Sequence, residues 1–196
     1  MYRVRWLMVM IGLCMGFWGC NEKSSAPFPA QTVKIGVVYP LSGPHAATGE
    51  DLKAGVELAV EIVNQSIQSS LPLSKTKGLP GHSHAPLELL YRDSQNDPTH
   101  AADAVAELFL KGAVAVIGCY SSTITAAASE RAEMLKIPFL NAASTSPLLT
   151  RRGFKWFFRT TPDDSMFAEN FFTFLDDIKH RGHPGISEGI CLVYEN

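Results

Sequence analysis

The apolar positions along this chain alternate between two spacings. Continuous β-branched runs predict strands buried on both faces, whereas apolar residues three or four positions apart predict amphipathic helices. The predicted strands span residues 33–39, 86–92, 113–118 and 137–141. The predicted helices between them span residues 51–67, 98–111 and 122–136. This βαβαβαβ order predicts an α/β fold, a doubly wound parallel sheet with right-handed crossovers and helices on both faces.

The second predicted helix has the clearest boundaries. Asp97 suits the N-cap, and Pro98 suits the first helical position because the N–H that proline lacks would have no partner there. Gly112 suits the C-cap at the other end. Residues 66–85, by contrast, hold Pro, Gly, Ser and Lys without periodicity, which predicts a long surface loop.

The pattern changes after the fourth predicted strand. Residues 142–153 predict a polar loop, and residues 154–159 predict a short aromatic strand. Residues 160–164 predict the cap of a further helix with a Phe-rich apolar face, and residues 189–194 predict a final strand. From the pattern alone, residues 160–196 either extend the first sheet or begin a second lobe. One helix and one strand could not bury a core of their own.

The N-terminal segment has the pattern of an export signal. Arg3 and Arg5 form a positive region, and residues 6–18 form an uncharged apolar run. This run has the length of a signal-peptide core and is short for a membrane span. The pattern predicts a signal peptide at residues 1–19.

Cys20 follows a small residue at the end of this run. That arrangement resembles a bacterial lipoprotein processing site, at which Cys20 becomes the lipidated first residue and residues 20–32 form a tether. The alternatives are an ordinary signal peptide or an uncleaved anchor, with Cys20 incidental. Of the other cysteines, Cys119 and Cys191 lie in apolar runs, where buried free thiols are expected.

Composition narrows the function classes. The 196 residues are 46% hydrophobic and 18% charged, so the chain can bury a core and is not disordered. The formal net charge of −2 argues against a basic surface of the kind that binds nucleic acid. No nucleic-acid partner is therefore expected.

Three loops lie where a doubly wound sheet binds its ligands, beyond the carboxyl ends of the strands. They are residues 42–49, 119–122 and 142–145, and they offer hydroxyl groups and backbone amides. Ser122 opens the third predicted helix, where free N–H groups and the helix dipole favour an anion.

The last of these loops complements that anion site. Ala143 can supply a carbonyl and Thr145 a hydroxyl, groups that suit an ammonium or an amide. The chemistry fits holding a small zwitterion. The alternative is purely structural, with Ser121 and Ser122 as N-caps and the loop from Ser144 as a turn.

The sequence lacks the common motifs of nucleotide-binding and hydrolytic enzymes. The chain has no G-x-G-x-x-G after a strand, no G-x-x-x-x-G-K-[ST], no G-x-S-x-G and no visible nucleophile–base pair. His82 and His84 give only two imidazoles in a loop, and His45 is one solvated loop histidine, so no metal site is expected. We expect neither enzymatic activity nor a cofactor.

Six motifs in colinear order give the chain a family resemblance. They are VKIGVVYPLSGPHAATG (33–49), KAGVELAV (53–60), RDSQNDP (92–98), VIGCYSS (116–122), SPLLT (146–150) and FRTTP (158–162). Together they resemble the substrate-binding proteins of ABC importers for branched-chain amino acids and amides. The similarity covers residues 33–195.

The resemblance implies a type I periplasmic-binding fold, in which two α/β lobes close on a ligand. Residues 33–159 would form lobe one, and residues 160–196 the hinge crossing and the incomplete start of lobe two. The sequence would then be an N-terminal fragment. Calorimetry is expected to show weak ligand binding by such a chain, because the second lobe supplies part of the family's site.

The resemblance also implies roles for individual residues. Ser122 matches the family's carboxylate-binding serine, and Ala143 and Thr145 match its ammonium-binding positions. Thr48 stands where some members carry an aromatic residue over the ligand. The loop positions that complete the candidate ligand-binding set are Tyr120, Ser121 and Ser144.

The implied function is solute capture outside the cytoplasm. The protein would bind branched-chain or related amino acids, or small amides, and deliver them to the membrane permease of an ABC importer. Its location would be periplasmic or at the cell surface, with anchoring through lipidated Cys20. The alternative is the ligand-binding ectodomain of a receptor or sensor with the same fold.

Overall fold

The computed structural model describes residues 31–67 and 69–182. Its strands are β1 (Val33–Tyr39), β2 (Leu87–Asp93), β3 (Ala115–Gly118), β4 (Phe139–Asn141) and β5 (Phe157–Arg159). Its α-helices are α1 (Ala46–Gln65), α2 (Pro98–Leu110), α3 (Ser122–Leu135) and α4 (Asp164–His180). The predicted signal peptide, Cys20, Cys191 and the predicted strand at 189–194 lie outside the described residues.

The five strands form one parallel sheet in the order β2-β1-β3-β4-β5. The order reverses between β1 and β3, because the chain first moves from β1 to one side and then crosses back past it. α1 packs on one face of the sheet, and α2 and α3 pack on the other, as expected for right-handed crossovers in opposite directions. The structure thus confirms the predicted doubly wound α/β fold.

The face under α2 and α3 holds the core. Each of the three central strands contributes a fully buried residue, namely Val38, Val116 and Phe139. The side chains that close over them are Ala101, Val105 and Leu108 from α2 and Ala128 and Ala132 from α3. The alanines let α3 approach the sheet closely, and burial of this apolar surface is the main stabilising contribution to the fold.

The opposite face is covered on one side only. Register places Val37, Ile117, Leu140 and Phe158 in one row across the sheet. Val37 lies under α1 and is 1% exposed, whereas Phe158 on the edge strand is 51% exposed. Within the described ranges, the apolar surface of this face therefore becomes more exposed with distance from α1.

Among the described helices, α4 packs least against the rest of the structure. Asp163 caps α4 by accepting from the Met166 N–H, as the predicted cap at 160–164 requires. None of the α4 residues is buried, and Phe167, Phe171 and Phe174 are each about half exposed. The amphipathic helix is confirmed, but its apolar face is not part of the core described above.

Several predicted boundaries shift, and the largest shift is at the start of α1. The sequence predicts a Gly/Pro/Ser loop over residues 40–50, but α1 begins at Ala46, five residues before its predicted start. Gly49 instead lets the first turn of α1 lie directly against the buried Pro40, whose carbonyl oxygen a Cβ would overlap. The C-cap of α2 is Lys111, and Gly112 follows it in the left-handed region with φ 86°.

The two glycines of α1 should respond oppositely to alanine. Gly49→Ala must displace the backbone of Pro40 or of the helix, so we expect a loss of about 1–3 kcal/mol in the free energy of unfolding. Gly55→Ala meets no atom within 4 Å and should gain about 0.5–1 kcal/mol from higher helix propensity. Urea unfolding of both variants measures the difference, and equal stability would contradict the close approach at Gly49.

Candidate ligand site

The loops after β1, β3 and β4 meet at the carboxyl edge of the sheet. The rings of His45 and Tyr120 have centroids 5.5 Å apart and join the first loop to the second. The Ser146 N–H donates to the Ser122 Oγ over 3.2 Å, which joins the third loop to the second. The structure thus brings together the three segments predicted from sequence, at the point where the strand order reverses.

The N-terminus of α3 lies at the centre of this edge. Ser121 is its N-cap and accepts from the Ile124 N–H over 3.4 Å. The first turn contains no acidic residue, so no carboxylate of its own neutralises the positive end of the helix dipole. Ser122, the first helical residue, is half-buried. An anion placed here would meet free N–H groups and the Ser122 hydroxyl.

Residues 143–145 of the loop after β4 alternate between half-buried and buried. Ala143 and Thr145 are half-buried, whereas Ser144 is 2% exposed. The Ser144 Oγ lies 2.6 Å from the Thr125 Oγ1 and donates to the Tyr120 carbonyl over 3.0 Å. The Ser144 hydroxyl is therefore used inside the protein, where it supports the loop.

Two buried residues that the sequence interpretation did not single out hold these loops. Thr125, inside α3, accepts from the Cys119 N–H over 3.1 Å. Asn141, at the end of β4, donates from Nδ2 to the carbonyls of Gly118 and Cys119 over 3.2 and 3.3 Å. The sequence signal for Asn141 is an amide side chain at the end of an apolar strand. Such a side chain becomes buried, as it is here, and then needs hydrogen-bond partners.

The first loop is anchored by a carboxylate from β2. Asp93 Oδ1 accepts from the N–H groups of Leu41 and Gln95, each over 2.8 Å. Burial alone would raise the pKa of Asp93, but hydrogen bonds from the Ser42 hydroxyl and the neighbouring backbone N–H groups outweigh it and lower the pKa. Sequence interpretation missed this residue, because its partner loop lies some fifty positions away.

Thr48 lies in a different element from the one that the sequence predicts. It was placed in a loop, but it lies in the first turn of α1, where it is half-buried. His45 precedes that turn as its N-cap and makes no side-chain cap bond. Its ring packs against Tyr120, so the wall next to Thr48 is formed by residues from two loops.

Cys119 is buried beneath the site. It is a free thiol with no exposed surface, as predicted. Burial raises the pKa of the Cys119 thiol to about 12, partly opposed by its hydrogen bond with Thr125. A thiol that stays protonated is a poor nucleophile.

Three other kinds of feature bear on function, namely metal sites, surface grooves and membrane-spanning helices. Among the residues that the structure describes, no group of three or more His, Cys, Asp or Glu side chains could hold a metal ion. A shallow groove of about 340 Å³ lies between α2 and α3, where Asp103 and Arg131 face each other. None of the described helices combines the length and apolar character needed to cross a membrane.

The sequence matches a known family over most of its length. The sequence model described as periplasmic binding protein matches residues 32–188. The chain is 31% identical over 197 residues to Leu/Ile/Val-binding protein homolog 8 of Brucella suis, covering 96% of this chain and 43% of that protein. The chain therefore spans less than half the length of this relative.

A second relative and a solved structure agree. The chain is 30% identical over 143 residues to the leucine-, isoleucine-, valine-, threonine- and alanine-binding protein of Pseudomonas aeruginosa, covering 73% of this chain and 35% of the relative. The substrate-binding protein LivJ of Streptococcus pneumoniae, solved with isoleucine, is 28% identical with a TM-score of 0.59. That match covers 69% of this chain and 35% of LivJ.

The anchor at Asp93 should make stability depend on pH. Because the pKa of Asp93 is lowered in the folded state, its contribution is complete above the ordinary aspartate pKa of about 4 and is lost as the pH falls through the folded value. At neutral pH we expect Asp93→Asn to cost about 1 kcal/mol, allowing for solvent screening. Urea unfolding across this pH range should show the difference from the unsubstituted chain shrinking in acid.

Asp51→Asn provides the matched control, since Asp51 is an exposed carboxylate on α1. It should leave stability unchanged at both ends of the pH range. A constant difference between the Asp93→Asn and unsubstituted chains from neutral to acid pH would refute the anchoring role of the Asp93 charge.

Proposed function

Because the chain belongs to the periplasmic binding protein family, we propose that it captures branched-chain or related amino acids, or small amides, for an ABC importer. The observation that carries the proposal is the α3 N-terminus, free of acidic residues and joined directly to the loop of Ala143 and Thr145. Relatives named for binding leucine, isoleucine and valine support the ligand class.

The proposed mechanism assigns each end of a zwitterion to one element. The carboxylate is held by the first N–H groups of α3 and by the Ser122 hydroxyl, where the helix dipole favours negative charge. The ammonium donates to the Ala143 carbonyl and the Thr145 hydroxyl. Buried Ser144 and the N-cap Ser121 hold these groups in place.

The ligand side chain is then directed toward the first loop. Tyr120 and Thr48 are the half-buried residues on that side, and His45 packs against the Tyr120 ring. A threonine at position 48 leaves more room than an aromatic ring would. We assign these residues to contact with the side chain of the ligand.

The proposed domain organisation places residues 33–159 in lobe one and residues 160–196 at the start of a second lobe. Two observations support it. β5 is the edge strand of the sheet, and α4 after it buries none of its residues in the described structure. Closure of a second lobe would complete the ligand's contacts and exclude water, as in other hinged domains. Lobe one alone would then bind weakly.

Membership of this family implies an extracytoplasmic location. We propose that residues 1–19 direct export and that Cys20 is lipidated, which would anchor the protein at the periplasmic or outer face of a membrane. The ligand-loaded protein would dock on the importer's permease. The sequence features at residues 1–20 support this part of the proposal.

Ligand binding by this chain should be weak and should depend on Ser122. We expect a Kd for L-leucine, L-isoleucine or L-valine of about 1 mM or weaker, measured by calorimetry or NMR titration. Ser122→Ala should weaken binding about tenfold, because it removes a hydrogen bond to a charged carboxylate. Short aliphatic amides should be tested in the same series.

Thr123→Ala is the matched control, because Thr123 is the exposed neighbour of Ser122 in the first turn of α3. It should bind like the unsubstituted chain. Micromolar affinity would contradict the proposal that a second lobe supplies much of the binding energy. Equal weakening by Ser122→Ala and Thr123→Ala would contradict the assigned carboxylate site.

Lipidation should depend on Cys20 alone. In a bacterial host fed labelled palmitate, the unsubstituted chain should incorporate label and Cys20→Ala should not. Cys119→Ala removes a thiol that is buried in the fold and should keep the label. Label on the Cys20→Ala chain, or none on the unsubstituted chain, would rule out the proposed anchor.

A further inference from the structure

Arg159 connects the candidate site to the helix that follows the sheet. It is the last residue of β5, and its side chain is only 8% exposed. Its Nη1 donates to the Ser146 carbonyl over 2.8 Å, and its Nη2 donates to Asp163 Oδ2 over 3.1 Å. One nearly buried guanidinium therefore holds together the N-cap of α4 and Ser146, which directly follows the loop at residues 142–145.

Ser146 is bonded on both sides. Its N–H donates to the Ser122 Oγ, on the proposed carboxylate site, while its carbonyl accepts from Arg159. The preceding residue, Thr145, adds a second link, because its carbonyl accepts from the Asp164 N–H over 3.0 Å. Thr145, which is proposed to contact a ligand, is thus one hydrogen bond away from the first turn of α4.

Asp163 cannot move independently of α4. Its Oδ2 pairs with Arg159, while its Oδ1 accepts from the Met166 N–H over 3.0 Å as the helix cap. The Met166 hydrogen bond, followed by the charge of Arg159 and its hydrogen bond, lowers the pKa of Asp163 although burial opposes it. A guanidinium that is nearly buried needs this partner, because an unpaired charge there would be costly.

We propose that Arg159 is a positioning residue that couples the ligand loop at residues 142–146 to the orientation of α4. The inference rests on the proposed function of that loop. A ligand that orders Ala143 and Thr145 would also order Ser146, and through Arg159 and Asp163 the start of α4. By reciprocity, the factor by which the ligand shifts the equilibrium between orientations of α4 is also the factor by which that orientation changes ligand affinity.

Hydrogen exchange at the start of α4 tests the coupling. With L-leucine at saturating concentration, the amide of Met166, which donates to the Asp163 carboxylate, should exchange about fivefold more slowly in the unsubstituted chain. Arg159→Lys keeps the charge but not the fork that bonds two partners at once, so this slowing should be lost. Arg151→Lys, an exposed neighbour at the end of the preceding turn, should behave like the unsubstituted chain.

A ligand-free measurement tests the same link independently. The equilibrium unfolding constant is measured for Ser122→Ala, Arg159→Lys and the double variant. The effect of the double variant should differ from the product of the two single effects by more than about twofold, because both side chains bond to Ser146. If Arg159→Lys does not fold, Asp163→Asn takes its place in both experiments. Independent effects in this cycle would overturn the proposal.

The outcomes with leucine separate this inference from the proposed function. If leucine shifts the Ser122 and Thr145 resonances but leaves exchange in α4 unchanged, the coupling is wrong and the proposed function stands. If leucine affects neither loop, the proposed binding of leucine is wrong, and the double-variant cycle decides the link. Slowing that persists in Arg159→Lys also overturns the role of Arg159.

Discussion

Two buried hydroxyl groups, those of Thr125 and Ser144, lie 2.6 Å apart, and the geometry of the site depends on their contact. The neighbouring bonds order the protons along one path. The Cys119 N–H donates to Thr125, the Thr125 hydroxyl then donates to Ser144, and Ser144 donates to the Tyr120 carbonyl. Each hydroxyl accepts once, and the Ser144 proton lies between the carbonyls of Tyr120 and Cys119. Such chains polarise one another in a low dielectric, and breaking one link leaves a buried group unsatisfied.

This path fixes the relative positions of the two loops that contain the proposed ligand contacts. It begins and ends in the β3–α3 loop and passes through the β4 loop, so neither loop can shift alone. Asn141 adds a second bond between the same strand ends. The N-terminus of α3 is therefore held in place before any ligand arrives, so affinity is not reduced by the cost of ordering it. The link through Arg159 extends this order to α4.

The elements that are determined by residues close together in the chain could be predicted from the sequence. The apolar runs identified the strands of the sheet, and the cap at Asp97 located the start of α2, since both signals lie within a few positions. It could not foresee that Gly49 packs on Pro40, so it began α1 too late. It also missed Asp93, because that carboxylate acts on a loop that is distant in the chain. The inward direction of Ser144 depends on Thr125, which only the folded sheet brings near.

A crystal structure of this chain grown in saturating L-leucine would test the central claim most directly. The account predicts leucine at the carboxyl edge of the sheet, its carboxylate on the first N–H groups of α3 and the Ser122 hydroxyl. Its ammonium should meet the Ala143 carbonyl and the Thr145 hydroxyl, with Ser144 still bonded to Thr125. Leucine bound in the groove between α2 and α3, or an empty carboxyl edge, would contradict it.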